Sequence, residues 1–170
     1  MDAPAPRSRF PNVRQQMRLR EYLRPELVIL GLKGRGARDA IHAMVEQIGS
    51  QGVVPDPGAL ESALLAREAV HTTAMGSGVA VPHATIEGLD RPVVAVAVSP
   101  EGVAFGPVGL DPVHVFFVLL SPPEQTGLHI KLLARIARLV RHPGLVTQLR
   151  DASSARAVLE TLETVDAGHV

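Results

Sequence analysis

Two short runs, Val93 to Ser99 (VVAVAVS) and Val113 to Leu120 (VHVFFVLL), constrain this chain most, because each stays apolar at successive positions. Side chains alternate between the two faces of a strand, so a run with no polar alternation is buried on both. The first is expected as a buried strand and the second as a central one. His114, near the start of the second, reads as a histidine at the edge of the core with a hydrogen-bond partner.

The flanking pattern is helical. Leu27 to Leu30 reads as a first strand, after a short helical or extended lead that begins at Met17. Asp39 is expected to cap a helix running to about Gly49, with Ile41, Met44, Val45 and Ile48 at helical spacing and His42 beside them in solvent. Asp56-Pro57 opens a second helix, an N-cap followed by proline at the first helical position. Its apolar stripe is Leu60, Ala63, Leu64 and Val70, and the residue that completes the spacing is Arg67. Such an arginine either points inward beside the core or snorkels from the last turn, where the helix dipole suits a cation. His71, in the same turn, carries no assigned role.

Beyond the buried runs, Glu101 to Gly109 suggests a short edge segment. Thr126 is expected to cap a long helix from about Gly127 to Arg141, with Leu128, Leu132, Ile136, Leu139 and Val140 buried. His129 falls in its first turn, beside unpaired backbone N–H groups and the positive end of the dipole. It is there either a polar residue in water or a neutral donor to a nearby anion. Lys131, Arg135 and Arg138, at i, i+4 and i+7, give this helix a cationic face that is simply solvated or that meets an acidic partner. Shorter helices are expected near residues 144–150 and 154–163, the second capped by Ser153 or Ser154, with a fraying tail from 165 to 170.

Composition narrows the classes. A chain of 170 residues without cysteine is large enough for one aliphatic core, and it has no disulfide, thiolate metal site or thiol nucleophile. A formal net charge of zero argues against a broad nucleic-acid footprint. No run approaches the ~20 apolar residues that span a bilayer. Residues 1–16, rich in proline and arginine, read as a flexible N-terminal extension, and the chain is expected to be soluble and cytoplasmic.

The remaining stretch is Thr72 to Ala84, TTAMGSGVAVPHA. Gly76 and Gly78 permit backbone angles denied to other residues, and they serve either an ordinary turn or a close approach by a ligand or partner. Val79 to Val81 suit a short buried strand, and Pro82 stiffens its exit, where His83 follows. A strand-end histidine bonded to a neighbouring carbonyl would give the same pattern, so this stretch alone leaves His83 open.

Arg67-Glu68, GSGVAVPHA, the strand ending in Ser121-Pro122, and His129 in LHIKLLARIARL together resemble one family. It is the type 2 enzyme IIA domain (fructose, mannitol and nitrogen-regulatory) of the phosphoenolpyruvate-dependent phosphotransferase system. The resemblance covers Met17 to about Leu162, within a domain expected over 17–164, and the spacing of 16 residues from Arg67 to His83 agrees with it. It implies a three-layer α/β/α sandwich with a mixed central β-sheet. It also implies that His83 accepts a phosphoryl group from the histidine-containing phosphocarrier protein, with Arg67 and His129 lining the same site on a shallow docking surface.

A neutral imidazole suits that chemistry, since its reference pKa of about 6.5 leaves a free ring nitrogen near neutrality. Phosphoryl transfer then depends on positioning and on charges that meet the phosphoryl oxygens, which a planar guanidinium can do with two donors. Neither a cofactor nor a metal is expected. Two histidines with a carboxylate such as Glu68 could hold zinc, but no recognised ligand spacing such as HExxH is present. Three functions fit: a phosphohistidine carrier that passes phosphate to a IIB protein or domain, a nitrogen-related regulator whose phosphorylation controls binding to targets, and a non-transferring relic of the fold.

Overall fold

The computed structural model describes residues 17–168, so the extension expected over residues 1–16 lies outside the described residues. The sheet is built from β1 (Leu23–Leu30), β2 (Ala74–Gly76), β3 (Val79–Ala80), β4 (His83–Thr85), β5 (Val93–Val103) and β6 (Val113–Ser121). Its order is β1-β5-β6-β3-β2, with β4 also on β6. β1 is parallel to β5, β5 antiparallel to β6, β3 and β4 parallel to β6, and β2 antiparallel to β3. The sheet is therefore mixed, and β6 is central.

Alternation along the two buried runs creates the layers. Ala95 and Ala97 of β5 and Phe116, Val118 and Leu120 of β6 face one cluster with Ile41, Met44 and Ile48 of α1 (Ala37–Ser50) and Leu60 and Leu64 of α2 (Pro57–Val70). Val94, Val96 and Val98 with Val115, Phe117 and Leu119 face the opposite cluster. There they meet Leu132 and Ile136 of α3 (Thr126–Leu139), Leu149 of α4 (Leu145–Asp151), and Val158 and Leu162 of α5 (Ala155–Gly168). The architecture is the expected α/β/α sandwich. Each fully buried large side chain adds about 1.5–3 kcal/mol, so the two sheet faces carry most of the cohesion.

Several local expectations change. Asp39 is not the N-cap of α1; Gly36 is, and the Asp39 carboxylate reaches back to accept from Arg35 N at 3.2 Å. Asp56 does cap α2, accepting from Ala59 N at 3.1 Å, but Val70, the last residue of the helix, is 82% exposed and leaves the stripe. Residues 101–103 are no separate edge segment, since β5 runs through them and Val103 pairs with Val113. Thr126 does not cap α3: a short 3-10 turn, Pro123–Gln125, precedes the helix, and Thr126 Oγ1 donates to Pro123 O instead.

The C-terminus departs furthest from the sequence reading. Ser154 caps α5 by accepting from Ala157 N at 3.1 Å, but the helix continues through Gly168 with Val165 and Asp166 buried. Asp166 is held by a cluster of bonds: Arg135 Nε donates to its Oδ1 at 2.6 Å, Leu19 N to its Oδ2 at 2.7 Å, and Arg135 Nη2 to its carbonyl at 2.9 Å. The Arg135 side chain is only 10% exposed, so it is not part of a solvent-facing cationic row; Lys131 and Arg138 are.

Candidate functional site

Pro82 accounts for the shape of the site. β3 and β4 lie on β6 in a single register, Ala80 opposite Phe116 and His83 opposite Leu119, yet they are two strands because Pro82 has no N–H to continue the ladder. His83 is thus the first residue of a second short strand and not a free strand exit. The Pro82 carbonyl still accepts from Leu119 N at 3.0 Å, which ties the interruption to the central strand.

His83 is half-buried, and both of its ring nitrogens are engaged. Nδ1 lies 2.8 Å from the Val81 carbonyl, and Nε2 receives Arg67 Nε–H at 3.3 Å. A carbonyl can only accept and a guanidinium can only donate, so both partners select one neutral tautomer, with the proton on Nδ1 and the lone pair on Nε2. The ordinary strand-end bond to a neighbouring carbonyl is therefore present. It fixes the ring and leaves the unprotonated nitrogen facing a cation.

Arg67 continues the buried stripe of α2 at i+7 from Leu60, and its half-buried side chain extends toward the sheet edge. Its Nη1 donates to the His71 carbonyl at 2.8 Å, a C-terminal carbonyl of its own helix. Next to it, Glu68 accepts from Thr72 Oγ1 at 2.7 Å, Thr73 Oγ1 at 2.6 Å and Thr73 N at 3.0 and 3.1 Å. That carboxylate fastens the exit from α2 onto β2 and so fixes where Arg67 starts.

His129 is 8% exposed and sits on the stripe of α3 three residues before Leu132, so it is neither solvated nor on the polar face. Its Nδ1 lies 2.7 Å from Ser121 Oγ at the end of β6, and its ring centroid is 5.6 Å from that of His83. Burial, and secondarily repulsion from His83 when that ring is protonated, push its pKa below the ordinary 6.5 and favour the neutral ring. Three elements, α2, β4 and α3, thus bring Arg67, His83 and His129 together. The group pairs a neutral imidazole, whose unprotonated nitrogen could act as a nucleophile, with a permanently charged planar donor and a second, buried imidazole.

Other expectations fall elsewhere. Ser77 and Gly78, with φ of 55° and 82°, form the two-residue turn of the β2–β3 hairpin, as a type I′ turn requires. Gly76 and Ser77 line a cleft of about 590 Å³ with Met75, Arg141, His142 and Val146, a set that excludes His83. His42 is exposed but bonded to Glu61 at 2.6 Å, and His114 donates to the Ser99 carbonyl at 2.8 Å. The sequence reading missed the Ser121–His129 bond, for which the chain offers no spacing signal, and the Glu68–Thr72 bond, which its i, i+4 spacing does signal.

Residues 21–165 match the family described as phosphoenolpyruvate-dependent sugar phosphotransferase system, EIIA 2. The chain is 31% identical over 82% of its length to the fructose-specific EIIA component of Haloferax volcanii, covering 91% of that protein. It is 30% identical over 86% of its length to a nitrogen regulatory protein of Bradyrhizobium diazoefficiens, covering 95% of it. The fructose-specific EIIABC component of Bacillus subtilis is 26% identical over 88% of this chain, which spans only 24% of that longer protein. Among solved structures, nitrogen regulatory protein IIA-Ntr of Neisseria meningitidis superposes with a TM-score of 0.76 at 25% identity, over 85% of this chain and 98% of that one. The IIA component in a complex of IIA mannitol with phosphorylated IIB mannitol, from Escherichia coli, gives 0.69 at 27% identity, over 82% of this chain and 97% of that one. The chain belongs to the EIIA type 2 family of the phosphoenolpyruvate-dependent sugar phosphotransferase system.

Proposed function

We propose that the chain is a phosphohistidine carrier that takes a phosphoryl group onto His83 Nε2 from the histidine-containing phosphocarrier protein and passes it to a IIB protein or domain. The observation that carries this reading is the bonding of His83: Nδ1–H donates to the Val81 carbonyl, and the lone pair on Nε2 faces the Arg67 guanidinium. In the transfer, Nε2 forms a bond to phosphorus as the phosphoryl group leaves the imidazole of the donor. The proton stays on Nδ1, hydrogen-bonded to the Val81 carbonyl, and the phosphohistidine keeps a fixed ring. Arg67 gives up its long bond to Nε2 and meets the phosphoryl oxygens with its fork. His129, kept neutral by burial, contributes a donor without adding positive charge. The solved complex of a related IIA with a phosphorylated IIB supports a IIB acceptor.

Relatives of nearly the same length named nitrogen regulatory proteins favour a second reading, in which phosphorylated and unphosphorylated forms bind a regulatory target differently. Both readings use the same site. Incubation with phosphoenolpyruvate, enzyme I and the phosphocarrier should add one phosphoryl mass to the wild-type chain and none to His83→Ala. Normal labelling of the variant refutes the site, and no labelling of the wild type refutes transfer. Addition of a IIB protein then separates the readings, since a carrier discharges to it and a regulator does not.

A further inference from the structure

The second imidazole has a partner of its own that sets its chemistry. Ser121 ends β6 and is fully buried, and its backbone carbonyl is taken by Ile86 N at 2.8 Å. Among the described residues, the one hydrogen bond of Ser121 Oγ is to His129 Nδ1, at 2.7 Å. A hydroxyl has one proton, and a buried proton of this kind needs an acceptor. If His129 carried its hydrogen on Nδ1, the Ser121 proton would point at no acceptor, and that arrangement is penalised. With Nδ1 unprotonated, the Ser121 O–H donates to it and the buried hydroxyl proton has its acceptor. The His129 proton then sits on Nε2, the nitrogen that Ser121 does not occupy, in a ring 5.6 Å from His83.

We infer that Ser121 is a positioning residue that holds His129 in the Nε2–H tautomer, opposite to the Nδ1–H tautomer of His83, so that one ring offers a lone pair to phosphorus while the other offers a proton to a phosphoryl oxygen. This rests on the proposed transfer to His83, but the tautomer itself can be read in the unphosphorylated protein. The rotamer as well as the proton depends on Ser121, because a neutral ring turned over would put a carbon against the buried hydroxyl. Since the serine lies on the central strand and His129 on α3, the bond also joins the sheet to the helix at the site.

The test is nitrogen-15 NMR of the histidine rings in the full chain, together with single-turnover transfer from the phosphorylated phosphocarrier. Wild-type His129 should show an Nε2–H signal with Nδ1 as acceptor. In Ser121→Ala the Nδ1 signal should move to the position of a nitrogen without a donor, and transfer should slow by about tenfold, as when one preorganised donor is weakened. Ser121→Thr, which keeps the hydroxyl, should restore both signal and rate. A wild-type His129 protonated on Nδ1 overturns the inference. So does Ser121→Ala with unchanged ring signals, whether its transfer is fast or slow, because a slow variant with unaltered rings would reveal packing alone. If the wild-type chain takes no phosphate, transfer to His83 fails, and the nitrogen signals still decide the tautomer.

Discussion

Replacing Arg67 by alanine should separate two effects that oppose each other. In the resting site the guanidinium holds His83 Nε2 through a long 3.3 Å bond, and its second anchor is the His71 carbonyl at 2.8 Å. Neither is a strong interaction in a half-exposed setting, so the loss of stability should be about 1 kcal/mol or less. During transfer, the same group can make two charge-assisted bonds to phosphoryl oxygens, each worth about 1.5–3 kcal/mol. Taking the lower end because Arg67 is only half-buried gives about 3 kcal/mol, or a rate lowered about 100-fold. Lysine supplies charge without the fork and should recover only part of this. A small neutral electrophile such as diethyl pyrocarbonate behaves in the opposite way. It has no charge for Arg67 to hold, so it should modify His83 faster in Arg67→Ala, where Nε2 is uncovered. Single-turnover quench measurements give the first rate and ultraviolet absorbance the second. Transfer within about threefold of wild type would refute the reasoning, as would slower modification by the neutral reagent.

Other parts of the molecule give independent expectations. Asp166→Ala leaves the nearly buried Arg135 cation without its carboxylate and should cost about 3–5 kcal/mol in urea unfolding, far more than loss of the exposed Arg20–Glu163 pair. For His129 the folded pKa lies below the ordinary 6.5, so the unfolded chain takes up this proton first as pH falls. Stability should therefore decline as pH falls through the ordinary value of about 6.5 toward the lowered folded value, and His129→Gln should flatten that part of the curve. The raised pKa of exposed His42, caused first by its bond to Glu61, acts in the reverse sense: its contribution is complete below 6.5 and is lost as pH rises through the raised value. The difference between wild type and His129→Gln cancels it.

The layers were legible because they depend on burial, and burial leaves a periodic trace. VVAVAVS and VHVFFVLL have no polar alternation, and both become strands with a helical layer on each face. Arg67 was legible as the residue completing an apolar stripe, and its approach to His83 follows from that direction. His129 was only half legible: its place in the first turn of α3 was visible, but its burial depends on Leu132 and Ser121 meeting it from two elements. The Asp166 cluster was hidden, since an acidic residue near a C-terminus has the pattern of a solvated tail. Its partners are Leu19 and Arg135, at the other end of the chain and in the middle of α3. Such long-range polar bonds have no period in the sequence. Helix starts went wrong at Asp39 and Thr126 for a related reason, because a preceding glycine or a 3-10 turn can supply the first turn in place of a side-chain cap.

The Asp166 cluster makes the described fold nearly a closed ring. Leu19 N and Arg18 Nη1 both bond to Asp166, so the two ends of the folded unit emerge side by side. A unit built in this way can be spliced into a longer polypeptide, or have its ends joined and a new opening cut in a surface loop, without parting any strand of the sheet. The cut must spare the last turn of α5, because removing residues 165–168 would take away the clasp along with the end.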